Sequence, residues 1–192
     1  GEQWMKRMEG MKEVLMVVTI GMDPTRPAVL YAGTSGGVYK SVDGAGHWEK
    51  VNNGLVPPGM VKTSRALNVT SIHVDPYQPD TVYAATLAGF YKTTDGAKSW
   101  VRAAESLADQ MLMGMVLDRT KRGVIYLAGR DGVHRSEDGG ATWHTLNNGF
   151  STTNIRSIAQ SETDSRLFYA GTNGSGLYRS HDAGETWEPM PM

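Results

Sequence analysis

The chain has 192 residues with 19 basic and 20 acidic side chains, a formal net charge of −1 and no cysteine. That length suits one domain with a real core, and the balanced charge argues against the concentrated basic surface of a nucleic-acid binder. Without cysteine there is no disulfide frame and no thiolate metal site, and no apolar run approaches the ~20 residues of a membrane span. Along the chain, short apolar runs fall into sets of four. The first set is residues 15–20, 29–32, 37–41 and a run opening at Trp48. The second is 69–74, 81–84, 89–93 and a run from Trp100; the third is 112–117, 124–127, 132–136 and a run from Trp143. The fourth is 155–160, 167–170, 176–180 and a run from Trp187. Each is rich in Val, Ile, Tyr and Trp and bounded by Gly, Asp, Asn or Pro, which predicts strands. Helix is conceivable only over residues 4–15 and 103–112, and both stretches align with strand and loop in the other sets.

All five tryptophans stand at one point of a repeated motif. Its copies are Ser41-Val42-Asp43-Gly44-Ala45-Gly46-His47-Trp48, Thr93-Thr94-Asp95-Gly96-Ala97-Lys98-Ser99-Trp100, Ser136-Glu137-Asp138-Gly139-Gly140-Ala141-Thr142-Trp143 and Ser180-His181-Asp182-Ala183-Gly184-Glu185-Thr186-Trp187. Gly1-Glu2-Gln3-Trp4 lines up with the end of a fifth copy, and the Trp-to-Trp intervals are 44, 52, 43 and 44. Such a period means stacked supersecondary units. The third run alternates: Val38, Phe90, Val133 and Leu177 face one way, and Tyr39, Tyr91, His134 and Tyr178 the other. The second run repeats a tyrosine at 31, 83, 126 and 169. Apolar residues on both faces suit a sheet sandwiched between neighbours. The predicted fold is therefore all-β, a β-propeller with four complete four-stranded blades and one N-terminal orphan strand. The expected blades are residues 9–53, 54–104, 105–148 and 149–192, with 1–8 closing a preceding blade in a single domain that is part of a larger ring.

The motif Ser/Thr-x-Asp-x-Gly-x-Thr-Trp resembles the Asp-box, or BNR repeat, of sialidases, family 74 glycoside hydrolases, sortilin-type receptor ectodomains and the photosystem II assembly-factor family. The resemblance covers the whole chain and is closest in style to the assembly factors. It implies a structural role for Asp43, Trp48, Asp95, Trp100, Asp138, Trp143, Asp182 and Trp187. A short carboxylate in a turn accepts backbone N–H bonds, glycine permits positive φ, and the indole fills the space between blades. A catalyst is needed once, whereas these aspartates occur four times. In the first two copies Ala45 and Ala97 replace the second glycine, and His47 and Ser99 replace threonine, so looser turns are expected there.

Sites are sought on the loops between blades and between second and third strands, which share one face of a propeller, away from the boxes. The segment 55–68 is nine residues longer than its counterpart 150–154 and carries Lys62 and Arg65. Arg130 and Asp131 replace small residues of the first unit, and Arg156 can reach the same rim. Lys62, Arg65, Arg130, Asp131 and Arg156 are the candidate binding residues, although an inserted loop or a charged rim is more often merely solvated. Among non-box carboxylates, Asp109 and Asp131 form the best candidate catalytic pair. The histidines 47, 73, 134, 144 and 181 have no metal-ligand spacing, and neither a metal nor a cofactor is expected.

Two functions follow. One is a non-enzymatic binding or assembly propeller resembling the photosystem II assembly factors, with a protein partner. The alternative is a fragment of a glycoside hydrolase, xyloglucanase-like or sialidase-like, with a carbohydrate substrate cleaved between two carboxylates. Scarcity of spare aromatics, with Phe150 and Tyr77 the candidates, favours the first. The resemblance implies an extracytoplasmic setting, periplasmic, lumenal or secreted. Bare blade faces at either end predict self-association.

Overall fold

The computed structural model describes residues 5–11, 16–55 and 67–191. Its strands form four four-stranded sheets, each a meander in chain order. The first holds β1 (Val17–Met22), β2 (Leu30–Thr34), β3 (Gly37–Ser41) and β4 (Glu49–Lys50). The second holds β5 (Val69–Val74), β6 (Val82–Thr86), β7 (Gly89–Thr93) and β8 (Val101–Arg102). The third holds β9 (Leu112–Leu117), β10 (Ile125–Gly129), β11 (Gly132–Ser136) and β12 (His144–Thr145). The fourth holds β13 (Ile155–Gln160), β14 (Phe168–Thr172), β15 (Leu177–Ser180) and β16 (Glu188–Pro189). Helix among the described residues is a single 3-10 turn at Glu105–Leu107, inside the stretch where a helix was conceivable.

The first and third strands lie close to their predicted places. Every second strand starts one residue later than expected and runs two residues further, because its end is tied to the next strand. Thr34 Oγ1 donates to the Gly37 carbonyl at 2.8 Å and Thr86 Oγ1 to that of Gly89 at 3.0 Å. Each fourth strand begins just after its tryptophan and is only two residues long.

Residues 5–8 belong to no strand, and Trp4 lies outside the described residues. The turn that follows them does match the repeat. Trp48 N–H donates to the Glu9 carbonyl at 2.9 Å, as Trp100 does to Asn53 at 2.8 Å and Trp187 to Asn148 at 2.9 Å. Gly10, Gly54 and Gly149 follow those acceptors at φ of +89°, +86° and +97°.

The chain divides into two compact units, residues 1–84 with 92–101 and residues 85–91 with 102–192, so the second sheet contributes to both. In the first unit Tyr31, Val38, Val69 and Ile72 are buried. The second unit has a continuous core of Tyr126, Val133, Ile155, Phe168, Tyr178 and Trp187. β6 and β10 are buried on both faces, as their repeated Tyr and Ala residues predict.

Candidate functional site

Each Asp hairpin is a closed hydrogen-bond set. In the third, Asp138 Oδ1 accepts from the Ala141 and Thr142 N–H groups, both at 2.9 Å, and from Ser136 Oγ at 2.7 Å. Thr142 Oγ1 donates to Oδ2 at 2.6 Å, and Ser136 Oγ in turn accepts from Gly140 N–H at 2.8 Å. Asp95 and Asp182 repeat the arrangement, and Ser99 supplies the hydroxyl that threonine gives elsewhere, at 2.6 Å. The first hairpin keeps the bonds from the Ser41 hydroxyl and the His47 N–H to Asp43 but has a histidine in place of the threonine or serine that gives the second hydroxyl. Ala45 and Ala97 take φ of +71°, so these turns hold the left-handed geometry of Gly140 and Gly184 rather than relaxing. Their bonds to the Ser41 and Thr93 hydroxyls are 3.0 and 3.1 Å, against 2.8 Å for Gly140 and Gly184.

A second carboxylate recurs at the end of three first strands. Asp23 accepts from Thr25 N–H at 2.8 Å and from Arg26 Nε at 2.6 Å. Asp75 and Asp118 cap the equivalent turns, and Asp118 also accepts from Gln160 Nε2 at 3.1 Å. Burial pushes the Asp23 carboxyl up, but Arg26 and Thr25 outweigh it and hold it at about 2. The His47 N–H holds Asp43 down, the Ser99 hydroxyl Asp95 and the Thr142 hydroxyl Asp138. At Asp182 burial acts upward and the Thr186 bonds prevail downward. Groups depressed in the fold contribute stability above their unfolded value and lose it as pH falls through the folded one. The midpoint of urea unfolding is therefore expected to hold steady from pH 7 to about 4.5 and to fall steeply between about pH 4 and 2. Asp23→Asn should flatten part of that fall; an unchanged profile would show that Asp23 does not contribute.

A third recurring feature joins sheet to sheet. Tyr31 and Lys40 are cross-strand partners, and Lys40 Nζ donates to the Gly96 carbonyl of the next hairpin at 2.8 Å. The Tyr31 hydroxyl approaches the same oxygen at 3.5 Å. Tyr126 and Arg135 are paired alike: the Tyr126 hydroxyl donates to the Ala183 carbonyl at 3.1 Å and Arg135 meets Glu185 at 2.7 Å. Trp100 Nε1 and Trp187 Nε1 return bonds to the Val51 and Leu146 carbonyls of the preceding sheets, at 2.8 and 3.0 Å. Trp143 departs from the expected burial. It is only partly buried, donates to Gly140 of its own hairpin at 3.0 Å and meets the Phe90 ring edge-on at 5.1 Å.

At the other end of the sheets, asparagines organise the rim. Asn147 Oδ1 accepts from Val133 N–H at 3.0 Å and its Nδ2 donates to the Asp131 carbonyl at 2.8 Å. Asn52 clamps Val38 and Gly36 in the same way, at 2.7 and 2.8 Å. The predicted rim residues fall here. Arg130 and Asp131 form the exposed β10–β11 turn, and the Arg130 N–H donates to the Met111 carbonyl at 3.2 Å. Asp109, exposed and at φ +62°, lies two residues before Met111, and its N–H donates to the Ala88 carbonyl at 3.2 Å. One rim of the third sheet thus carries Asp109, Arg130 and Asp131, while Arg156 is exposed on β13 of the fourth. Lys62 and Arg65 lie outside the described residues.

His134 is buried in place of the repeat tyrosine. Burial pushes its pKa down, and Nδ1 contacts Thr145 Oγ1 at 3.2 Å. Phe150 stacks on Trp187 at 4.8 Å and leans on Tyr178 at 4.9 Å, so it is a packing residue. Tyr77 is 52% exposed in the β5–β6 turn, the same kind of turn whose Ala28, Asp80, Gly123 and Arg166 carbonyls bond the Asp hairpins. Among the described residues no three His, Asp or Glu side chains converge as metal ligands. The asparagine clamps and the first-strand aspartates were not singled out in the sequence. Their signals were Asn-Asn-Gly at 52–54 and 147–149, four residues after a motif Trp, and Asp23-Pro24 and Asp75-Pro76.

Four-stranded meanders, with the Trp100 and Trp187 hairpins exchanging hydrogen bonds with the preceding sheet, are the blades of a β-propeller. Comparison with known proteins agrees with that class. The chain is 28% identical over 180 residues to a probable oligoxyloglucan-reducing end-specific xyloglucanase of Neosartorya fischeri, across 87% of this chain and 21% of that protein. It thus spans about a fifth of that curated relative. Among solved structures, an ancestral GH74 enzyme matches with a TM-score of 0.77 and 21% identity, over 92% of this chain and 24% of that one. YCF48 bound to D1 peptide matches with a TM-score of 0.62 and 17% identity, over 90% of this chain and 54% of that one. These structural likenesses are likenesses of fold. No protein-family profile matches the chain.

Proposed function

We propose that this chain is an Asp-box propeller segment that binds a protein partner and does not itself cleave a substrate. The supporting observation is how its chemistry-bearing side chains are used. The repeated aspartates are engaged by turn donors and held below the ordinary carboxylate range, the opposite of what a general acid needs. Phe150 is stacked within the packing, and Tyr77 sits in a turn at the hairpin end. The rim offers charge instead, Arg130 and Asp131 on the third sheet and Arg156 on the fourth, and the sequence adds Lys62 and Arg65 in its inserted segment. Such a surface suits an anionic peptide segment of the partner. The peptide-bound YCF48 structure gives this reading a precedent of fold. The family setting favours an extracytoplasmic location.

The second reading, a glycoside hydrolase fragment using Asp109 and Asp131, draws on the xyloglucanase similarity. Both carboxylates stand on one rim. Incubation with xyloglucan oligosaccharides separates the two. No release of reducing ends is expected, together with binding of a fluorescent glutamate-rich peptide that weakens about tenfold in Arg130→Glu/Arg156→Glu. Hydrolysis that disappears in Asp109→Asn or Asp131→Asn would replace the first reading with the second.

A further inference from the structure

We propose that Asn173-Gly174 is a self-modification site, at which the chain converts its own asparagine to aspartate or isoaspartate and so adds a negative charge to the rim of the fourth sheet. Three asparagines are followed by glycine, at 53, 148 and 173. Asparagine is chemically labile, and glycine has no side chain to shield its backbone nitrogen, so each pair is open in principle to the same reaction. The Gly174 nitrogen attacks Cγ of the Asn173 side chain and gives up its proton, and the amide nitrogen leaves as ammonia. Water then opens the cyclic imide at either carbonyl. One water is consumed, one ammonia is released, and a carboxyl group takes the place of the amide.

The fold closes two of these pairs. Attack requires the Asn–Gly peptide to turn until its nitrogen faces the side chain. The Asn53 carbonyl accepts from Trp100 N–H at 2.8 Å and the Asn148 carbonyl from Trp187 N–H at 2.9 Å, so both peptides are pinned. Asn53 Nδ2 also donates to the Lys98 carbonyl at 3.2 Å. Gly54 and Gly149 lie so close to the Trp100 and Trp187 carbonyls that an added Cβ would collide with them, which leaves no room to turn. The Asn173-Gly174 peptide is free. Among the described residues neither its carbonyl nor its N–H is hydrogen-bonded, the Asn173 side chain has no partner, and nothing lies within 4 Å of a Cβ on Gly174.

That freedom comes from the fourth sheet's own sequence. In the other three sheets two residues turn the chain from second to third strand, and the carbonyl of the second of them is clamped from within the same connection. Gly36 accepts from Asn52 Nδ2 at 2.8 Å, Ala88 from the Asp109 N–H at 3.2 Å and Asp131 from Asn147 Nδ2 at 2.8 Å. The fourth turn is one residue longer, Asn173-Gly174-Ser175 before Gly176, and Pro191 stands where Asn52 and Asn147 stand, two residues beyond the fourth strand. Proline has neither a side-chain amide nor an N–H to donate. Asn173 N–H is tied to the Asn154 carbonyl at 2.9 Å, which places the new charge next to the irregular step of β13 that holds Arg156. A carboxylate there opposes capture of an anionic peptide. This consequence, unlike the conversion itself, rests on the peptide site proposed for the rim.

Trypsin places the three pairs in separate peptides, residues 51–62, 136–156 and 167–179. The whole chain is held for days in mildly alkaline buffer made with heavy-oxygen water, then digested in ordinary water and mapped by mass spectrometry. Peptide 167–179 is expected to gain heavy oxygen about tenfold faster than the other two, and chain unfolded in urea to convert all three at similar rates. Asn173→Gln should abolish the gain in that peptide. Pro191→Asn, which restores the clamp, should slow it several-fold. A peptide 167–179 that stays unlabelled in the folded chain, or that either of the others matches, overturns the proposal. Asn173→Asp carries the charge from the start and should bind the glutamate-rich peptide several-fold more weakly than the unsubstituted chain; equal binding overturns the charge effect. An unsubstituted chain that binds no peptide defeats the rim site and leaves the labelling result standing.

Discussion

Trp187→Ala is expected to lower stability by about 3–5 kcal/mol, the range for truncating a large buried aromatic. The indole is 4% exposed, stacks on Phe150 and donates to the Leu146 carbonyl at 3.0 Å. Its removal leaves a void between the third and fourth sheets and an acceptor without its donor. Trp143→Ala should cost less, because that ring is only partly buried and its N–H serves only its own hairpin. Urea unfolding of the two variants checks the order. Equal losses would mean that the tryptophans act through their hairpins rather than through the seams between sheets.

Gly149→Ala is expected to be nearly as damaging, by at least about 2 kcal/mol. Two effects add. At φ +97° any side chain is strained. A Cβ there would also collide with the backbone carbonyl of Trp187, which cannot swing aside as a flexible side chain would. The collision strikes where Trp187 N–H meets the Asn148 carbonyl, so the link between sheets breaks with it. Gly174→Ala is the control: φ is +95° but nothing lies within 4 Å of the added carbon, so only the backbone strain of about 1 kcal/mol remains. Thermal melts that placed the two variants together would show that the close approach at Gly149 relaxes freely.

The sequence announced its strands wherever a run alternated and was bounded by glycine. Gly37-Val38-Tyr39-Lys40-Ser41 and its counterparts were legible for that reason. Two second strands were cut short because Gly33 and Gly171 bounded their runs, although at Gly33 glycine leaves room for Val69 of the neighbouring sheet. The aspartate hairpins were legible as turn staples because they recur. Trp143 misled because its motif is complete, whereas its burial depends on the preceding connection, which has Ala103-Ala104-Glu105 in place of Val51-Asn52-Asn53. Asn52 and Asn147 passed as loop residues, since nothing in composition tells a solvated amide from one that clamps two backbone groups. The rim of Asp109, Arg130 and Asp131 was partly legible, through departure from the repeat. What holds it in place was not.

The grip of Lys40 on Gly96 and of Tyr126 on Ala183 ends on a main-chain oxygen, not on a side chain. A main-chain oxygen is present whatever residue occupies the position, so glycine in one unit and alanine in another serve equally. Each unit can then drift in sequence without consulting its neighbour, and a duplicated unit fits beside its parent from the first generation. Lineages built on such joints can lengthen or shorten by whole units while their letters diverge, which is how a chain can match its relatives at about one residue in four and still superpose on them.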